Sequence, residues 1–213
     1  MISPLKKKDS FSEILKSESF FLLIKPTKNI YKNTIERDLV EQEIGLLIKA
    51  GFINIEISWS NNENWLNYVS NLRLKFPKLN LGSASIRNKK SIDESIKIGC
   101  NYSMMKGWDR DLLNYSNSKN HLLIPGIKCF KDLKEAMDLN CKIIKIYPVK
   151  SIINLINISQ YKNVNFIAAG GLSISDIPLY KSLGYKAIVV GDKGFKNNEI
   201  DLKIYEWLKK TSN

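Results

Sequence analysis

Cys141-Lys142-Ile143-Ile144-Lys145-Ile146-Tyr147-Pro148 reads as a short β-branched strand closed by a proline. Side chains alternate between the two faces of a strand. Ile144 and Ile146 therefore share one face, and Ile143, Lys145 and Tyr147 share the other. Two placements fit this stretch alone. Lys145 lies on an exposed strand face, as suits a lysine-rich chain, or it points into a closed parallel sheet whose outer face carries helices over the two isoleucines. In the second placement the low dielectric favours the neutral amine, and a neutral lysine is a nucleophile.

The rest of the chain favours the closed sheet. Upstream, Phe11, Ile14 and Leu15 recur at helical spacing, predicting a short N-terminal helix over residues 9–19. Phe20-Phe21-Leu22-Leu23-Ile24-Lys25-Pro26 is a buried strand stopped by proline. A helix follows, with Asn33-Thr34 as its candidate cap, running to Ala50 with Gly51 at its end, and with Ile35, Leu39, Ile44, Leu47 and Ile48 as its apolar stripe. Residues 52–58 alternate strictly, with Ile53, Ile55 and Ile57 on one face and Asn54, Glu56 and Ser58 on the other. Helix 62–76, strand 79–84, helix 91–98, strand 102–105 and a short helix 109–115 come next. Strand 121–126 precedes helix 130–137. Beyond the Lys145 strand the pattern gives a helix from about 151, strand 164–171, helix 175–183, strand 187–191 and a last helix 201–210. Eight strands alternating with helices across short loops predict a parallel α/β sheet, and eight units in this length predict a single (β/α)8 barrel over residues 1–213. An open doubly wound sheet is the alternative, but no GxGxxG follows the first strand and no P-loop occurs.

The 213 residues are 44% hydrophobic and 25% charged, enough for one substantial core. No apolar run approaches the roughly 20 residues of a membrane span, and the basic N-terminus lacks the apolar stretch of a secretory signal. Cys100, Cys129 and Cys141 have no CxxC spacing, so neither a disulfide framework nor a zinc site is indicated, and a cytoplasmic location is expected. The lone His121 leaves no histidine metal cluster. The net charge of +12 can gather anionic substrates. The lysines are scattered, though, and no nucleic-acid-binding motif accompanies them.

In such a barrel the chemistry sits at the C-terminal ends of the strands. Glu56, Ser83, Ser85 and Lys145 fall there. So do Ala169-Gly170-Gly171 after strand seven and Gly191-Asp192-Lys193-Gly194 after strand eight. Glycines at both of those ends let backbone N–H groups approach an anion, with Lys193 as an added cation; the alternative is a plain tight turn. Glu56 and Lys145 together suit imine chemistry, because an amine nucleophile needs an acid/base neighbour to move protons during addition and dehydration.

These residues resemble the 2-keto-3-deoxy-6-phosphogluconate (KDPG)/4-hydroxy-2-oxoglutarate (KHG) aldolase family, from about residue 20 to 210. Ile55-Glu56-Ile57 is similar to the strand with the family's catalytic glutamate. Lys145-Ile146-Tyr147-Pro148 is similar to its Lys-Phe-Phe-Pro signature, whose lysine forms the Schiff base. Leu81-Gly82-Ser83-Ala84-Ser85-Ile86 looks like its third strand, with Ser85 for a substrate-binding threonine. Ile124-Pro125-Gly126-Ile127 matches its fifth-strand motif, and the Gly170-Gly171 and Gly191-Asp192-Lys193 turns match its phosphate side.

The resemblance implies a cofactor-free class I aldolase, a homotrimer, acting on a phosphorylated or related small 2-keto acid. It implies substrate contacts from Ser85, Lys25, Pro125, Gly126, Ala169, Gly170, Gly171, Gly191, Asp192 and Lys193. The chain departs from the family where a carboxylate-binding arginine becomes Ser60, where Ser-Pro-Gly becomes Met105-Lys106-Gly107, and where Gly-Gly-Ser becomes Gly191-Asp192-Lys193. Lys25 is a candidate basic residue at the end of strand one, and Lys106 and Arg87 are candidate replacements for the lost arginine. Another phosphate-binding barrel and a non-catalytic binding protein remain open at this point.

Overall fold

Each stave of the barrel pairs in parallel with its neighbours, and the last returns to the first. The computed structural model describes residues 4–152 and 156–211. Its strands are β1 (Phe20–Ile24), β2 (Asn54–Ser58), β3 (Asn80–Ile86), β4 (Tyr102–Met105), β5 (Leu123–Ile124), β6 (Gly126–Ile127), β7 (Ile143–Ile146), β8 (Asn165–Leu172) and β9 (Ala187–Val190). Their hydrogen-bonded order is β5-β4-β3-β2-β1-β9-β8-β7-β6. β5 and β6 are two halves of one stave, so the ring has eight staves. The uninterrupted strand expected over 121–126 is thereby corrected. Pro125 has no N–H to give the ladder and breaks it there, while its carbonyl still accepts the Lys145 N–H at 2.9 Å and joins the stave to β7. The fold is a (β/α)8 barrel, as expected.

Helices α1 (Pro4–Ser17), α2 (Thr34–Lys49), α3 (Trp65–Lys75), α4 (Lys89–Ile98), α5 (Arg110–Ser118), α6 (Phe130–Asp138), α7 (Val149–Ile152), α8 (Ile177–Ser182) and α9 (Leu202–Thr211) accompany the staves. Asn33 caps α2 by accepting the Ile35 N–H. The helix expected from about 151 begins at Val149, and its continuation over 153–155 lies outside the described residues. A hairpin of β10 (Phe195–Lys196) and β11 (Glu199–Ile200), which the sequence reading did not anticipate, follows β9. Among the described residues no helix is long and apolar enough to cross a membrane.

Alternation divides the apolar residues into two cores. Leu22, Ile55, Ile57, Ile144 and Ile146 face outward into the large cluster beneath the helices. Phe21, Tyr102, Met104, Ile143 and Ile167 face inward and form a second cluster with Phe11 and Leu15 of α1. Phe11 stacks on Phe21 at 5.5 Å and meets the edge of Tyr102 at 4.6 Å, so α1 plugs the barrel at the N-terminal ends of its strands. The α2 stripe is only partly as expected. Val40, Ile44 and Leu47 are buried with Glu41, whereas Ile35 is 69% exposed and Leu39 45% exposed. Glu41 is tolerated on that face because Lys75 of α3 pairs with it.

Candidate active site

Lys145 points into the barrel from the last part of β7 and is 7% exposed. Its ammonium donates to the Met105 carbonyl at the end of β4. Glu56 enters from β2, 1% exposed, and accepts the Tyr102 hydroxyl at 3.2 Å. Burial pushes the Glu56 carboxyl up to about 7, against the opposing pull of the Lys145 charge and the Tyr102 hydrogen bond. Burial likewise pulls the Lys145 ammonium down to about 8, against the opposing effect of Glu56. The two groups feel each other's charge, yet the ion pairs among the described side chains do not include them. Both protonation states of each are therefore accessible near neutral pH.

Above them a cavity of about 400 Å³ opens at the C-terminal ends of the staves. It brings together Glu56, Lys145, Lys25, Ser85, Ala169, Gly170, Gly171, Gly191, Asp192 and Lys193. Pro125 and Gly126 do not line it; they hold the fifth stave. A Cβ on Gly126 would meet the Met105 carbonyl oxygen at 2.7 Å, so the missing side chain lets the loop after β4 close over β6. Gly126→Ala is expected to destabilise the fold by about 1–3 kcal/mol, read as a lower urea midpoint, and to displace the carbonyl that Lys145 touches. Gly170, at φ 115, similarly lets β8 approach Pro148, whose Cα a Cβ would meet at 3.0 Å.

Ser85 reaches the cavity through a register shift between Ser83 and Ile86 on β3. Its backbone is left-handed, φ 63, an uncommon state for serine, and its hydroxyl accepts from Ser58 at 3.0 Å. Lys25 pairs with Asp192 across the β1–β9 seam at 2.7 Å. Ser60 contacts the Tyr31 hydroxyl at 3.0 Å and does not line the cavity. The sequence reading gave no role to Tyr102, although Glu56 depends on it. Its signal was position, since Tyr102 falls on the inward face of β4 at the depth of a buried carboxylate.

A family model for KDPG and KHG aldolase matches residues 31–209. The chain belongs to the KDPG and KHG aldolase family. It is 25% identical over 104 residues to the 2-dehydro-3-deoxy-phosphogluconate aldolase of Zymomonas mobilis, spanning 47% of this chain and 50% of that protein. It is 24% identical over 141 residues to the enzyme of the same name from Pseudoalteromonas atlantica, spanning 64% of this chain and 65% of that one. The match thus spans about half to two thirds of these relatives. Among solved structures, the KDPG aldolase of Legionella pneumophila with pyruvate captured as a covalent carbinolamine superposes at TM-score 0.73. It shares 15% identity over 93% of this chain and 94% of that one. That likeness bears on the barrel alone.

Proposed function

We propose that this member of the KDPG and KHG aldolase family is a Schiff-base aldehyde-lyase. It cleaves a small 2-keto acid of the KDPG or KHG type to pyruvate and an aldehyde. The observation that carries the reading is the pairing of Lys145 and Glu56. A buried lysine with a depressed pKa faces a buried carboxyl with a raised one, at the floor of a cavity over the C-terminal ends of the staves.

Neutral Lys145 attacks the C2 carbonyl carbon, and a proton moves to the oxygen to give a carbinolamine. Protonated Glu56 supplies the proton with which that hydroxyl leaves as water, and the nitrogen lone pair closes the iminium. The iminium is the electron sink. When Glu56, now a carboxylate, removes the C4 hydroxyl proton, the C3–C4 bond breaks. Its electron pair flows into C2=N, leaving an enamine and a free aldehyde. Protonation of C3 returns the iminium, and water releases pyruvate and the amine. The scheme asks for no further cofactor. The distal end of the substrate lies toward Ser85, the Gly170-Gly171 turn and the Gly191–Lys193 turn. A phosphorylated distal end, a homotrimeric assembly and a cytoplasmic location belong to this same proposal.

The test is borohydride reduction in the presence of pyruvate. The intact protein is expected to gain one reduced pyruvyl group, and peptide mass spectrometry to find it on Lys145. A protein that takes up none at pH 7–8, or carries it on another lysine, overturns the reading.

A further inference from the structure

We infer that Lys106 is the residue that recognises the substrate carboxylate, and that it acts by seating the keto acid against Lys145. The inference rests on the aldolase reading above. A 2-keto acid carries its carboxylate on the carbon next to the one attacked, so its counter-charge must stand within a few ångströms of the lysine nitrogen. Four lysines line the cavity: Lys25, Lys106, Lys145 and Lys193. Lys145 is the nucleophile. Lys25 is already held by Asp192 at 2.7 Å on the far seam of the barrel. Lys193 follows the β9 turn, where its charge, with that of Lys150, acts on Asp176. Arg87 lies over the Trp59 ring at 5.8 Å and does not line the cavity.

Lys106 differs from these in position. Its N–H donates to the Ile86 carbonyl at 3.0 Å, extending the β3–β4 pairing one residue beyond Met105. Alternation along that extended stretch puts Lys106 on the same face as Tyr102 and Met104, the inward face. The preceding carbonyl, Met105 O, accepts from the Lys145 ammonium. Ordinary peptide dimensions then hold the Lys106 Cα within about 5.5 Å of that nitrogen. Among the described residues its own ammonium has no hydrogen-bond or ion-pair partner, so a bound carboxylate competes with nothing for it. A flexible ammonium in place of a forked guanidinium gives a point charge without bidentate geometry. The site therefore accepts small 2-keto acids by charge and holds their orientation through the imine itself.

The assay is the rate of borohydride trapping against pyruvate concentration, for wild type, Lys106→Met and Lys106→Arg. Each is checked first for an unchanged melting temperature, since Lys106 is exposed. Lys106→Met is expected to raise the half-saturating pyruvate concentration about tenfold or more with the saturating rate nearly kept. Lys106→Arg is expected to restore most of the loss. Methyl pyruvate, which lacks the charge, is expected to trap equally with wild type and Lys106→Met. Half-saturation within twofold of wild type, or an equal loss with methyl pyruvate, overturns the assignment while leaving the aldolase reading in place. Wild type that never traps pyruvate overturns both.

Discussion

Lys145→Met is expected to abolish the reduced pyruvate adduct and to lower turnover of a cleavable 2-keto acid by roughly 10⁴-fold or more. Methionine keeps the unbranched volume of the stem and removes the one atom that condenses with the ketone. Carboxylate recognition and cavity shape stay, so pyruvate still binds and the loss falls on the chemical step. The variant should not be weaker in folding. The folded Lys145 titrates near 8 against 10.5 in water. Below about 8 the native state thus carries a buried ammonium that the unfolded chain solvates freely, and stability rises with pH between those two values. At pH 6 Glu56, raised to about 7, is mostly neutral. Removing Lys145 raises it further, so no uncompensated charge is left behind. Lys145→Met is therefore expected to melt at or above the wild-type temperature at pH 6 while being inert. An adduct that persists in this variant would move the nucleophile to a rim lysine and discard the mechanism.

How much of this was readable in the residues follows from what each signal depends on. The strand around Lys145 needed only alternation, and the two faces of Ile143–Tyr147 fall where a period of two puts them. The strict alternation of 52–58 placed Glu56 inward for the same reason. Properties of the ring as a whole were out of reach. Nothing local says that Pro125 interrupts one stave yet still joins it to β7. Nor does anything local say that Gly126 is needed against Met105 rather than against a ligand. On α2 the stripe holds at Ile44 and Leu47 but fails at Ile35 and Leu39, because the buried face continues through Val40 instead. Two faces of that helix are apolar, and only packing chooses between them. The left-handed Ser85 follows from an extra residue in the β3–β4 pairing, which no single strand discloses. Between Lys106 and Arg87, both candidates for the lost arginine, the sequence makes no choice; the ladder that continues through Lys106 does.

Glu56→Gln separates the two jobs the carboxyl is asked to do. Glutamine keeps the shape and an oxygen for the Tyr102 hydroxyl, but it neither gives nor takes a proton. Cleavage is expected to fall by about 10²–10⁴-fold, the usual worth of a positioned acid/base. In the wild type, activity rises with pH as Lys145 loses its proton through about 8 and falls as the acid form of Glu56 is lost through about 7. The limbs overlap and belong to the pair jointly, giving a narrow maximum close to neutrality. In the variant the falling limb has no titrating group and should vanish. The rising limb should move the other way from a simple loss of function. The Glu56 charge holds the Lys145 pKa up, so deleting it lets burial pull the amine still lower. Glu56→Gln is then expected to reach half of its maximal trapping rate below about pH 8 and to hold its full rate at higher pH, where wild type falls away, even as cleavage collapses. The profile of trapping rate against pH, taken with both proteins, reads this directly. A midpoint of the variant's trapping rate at or above about 8 would mean that the two groups do not share a field. A cleavage loss under tenfold would pass the proton relay to another group on the cavity wall. Tyr102 is an unsuitable heir, because burial beside Glu56 holds its hydroxyl well above 10 and leaves it a donor that cannot readily take a proton back.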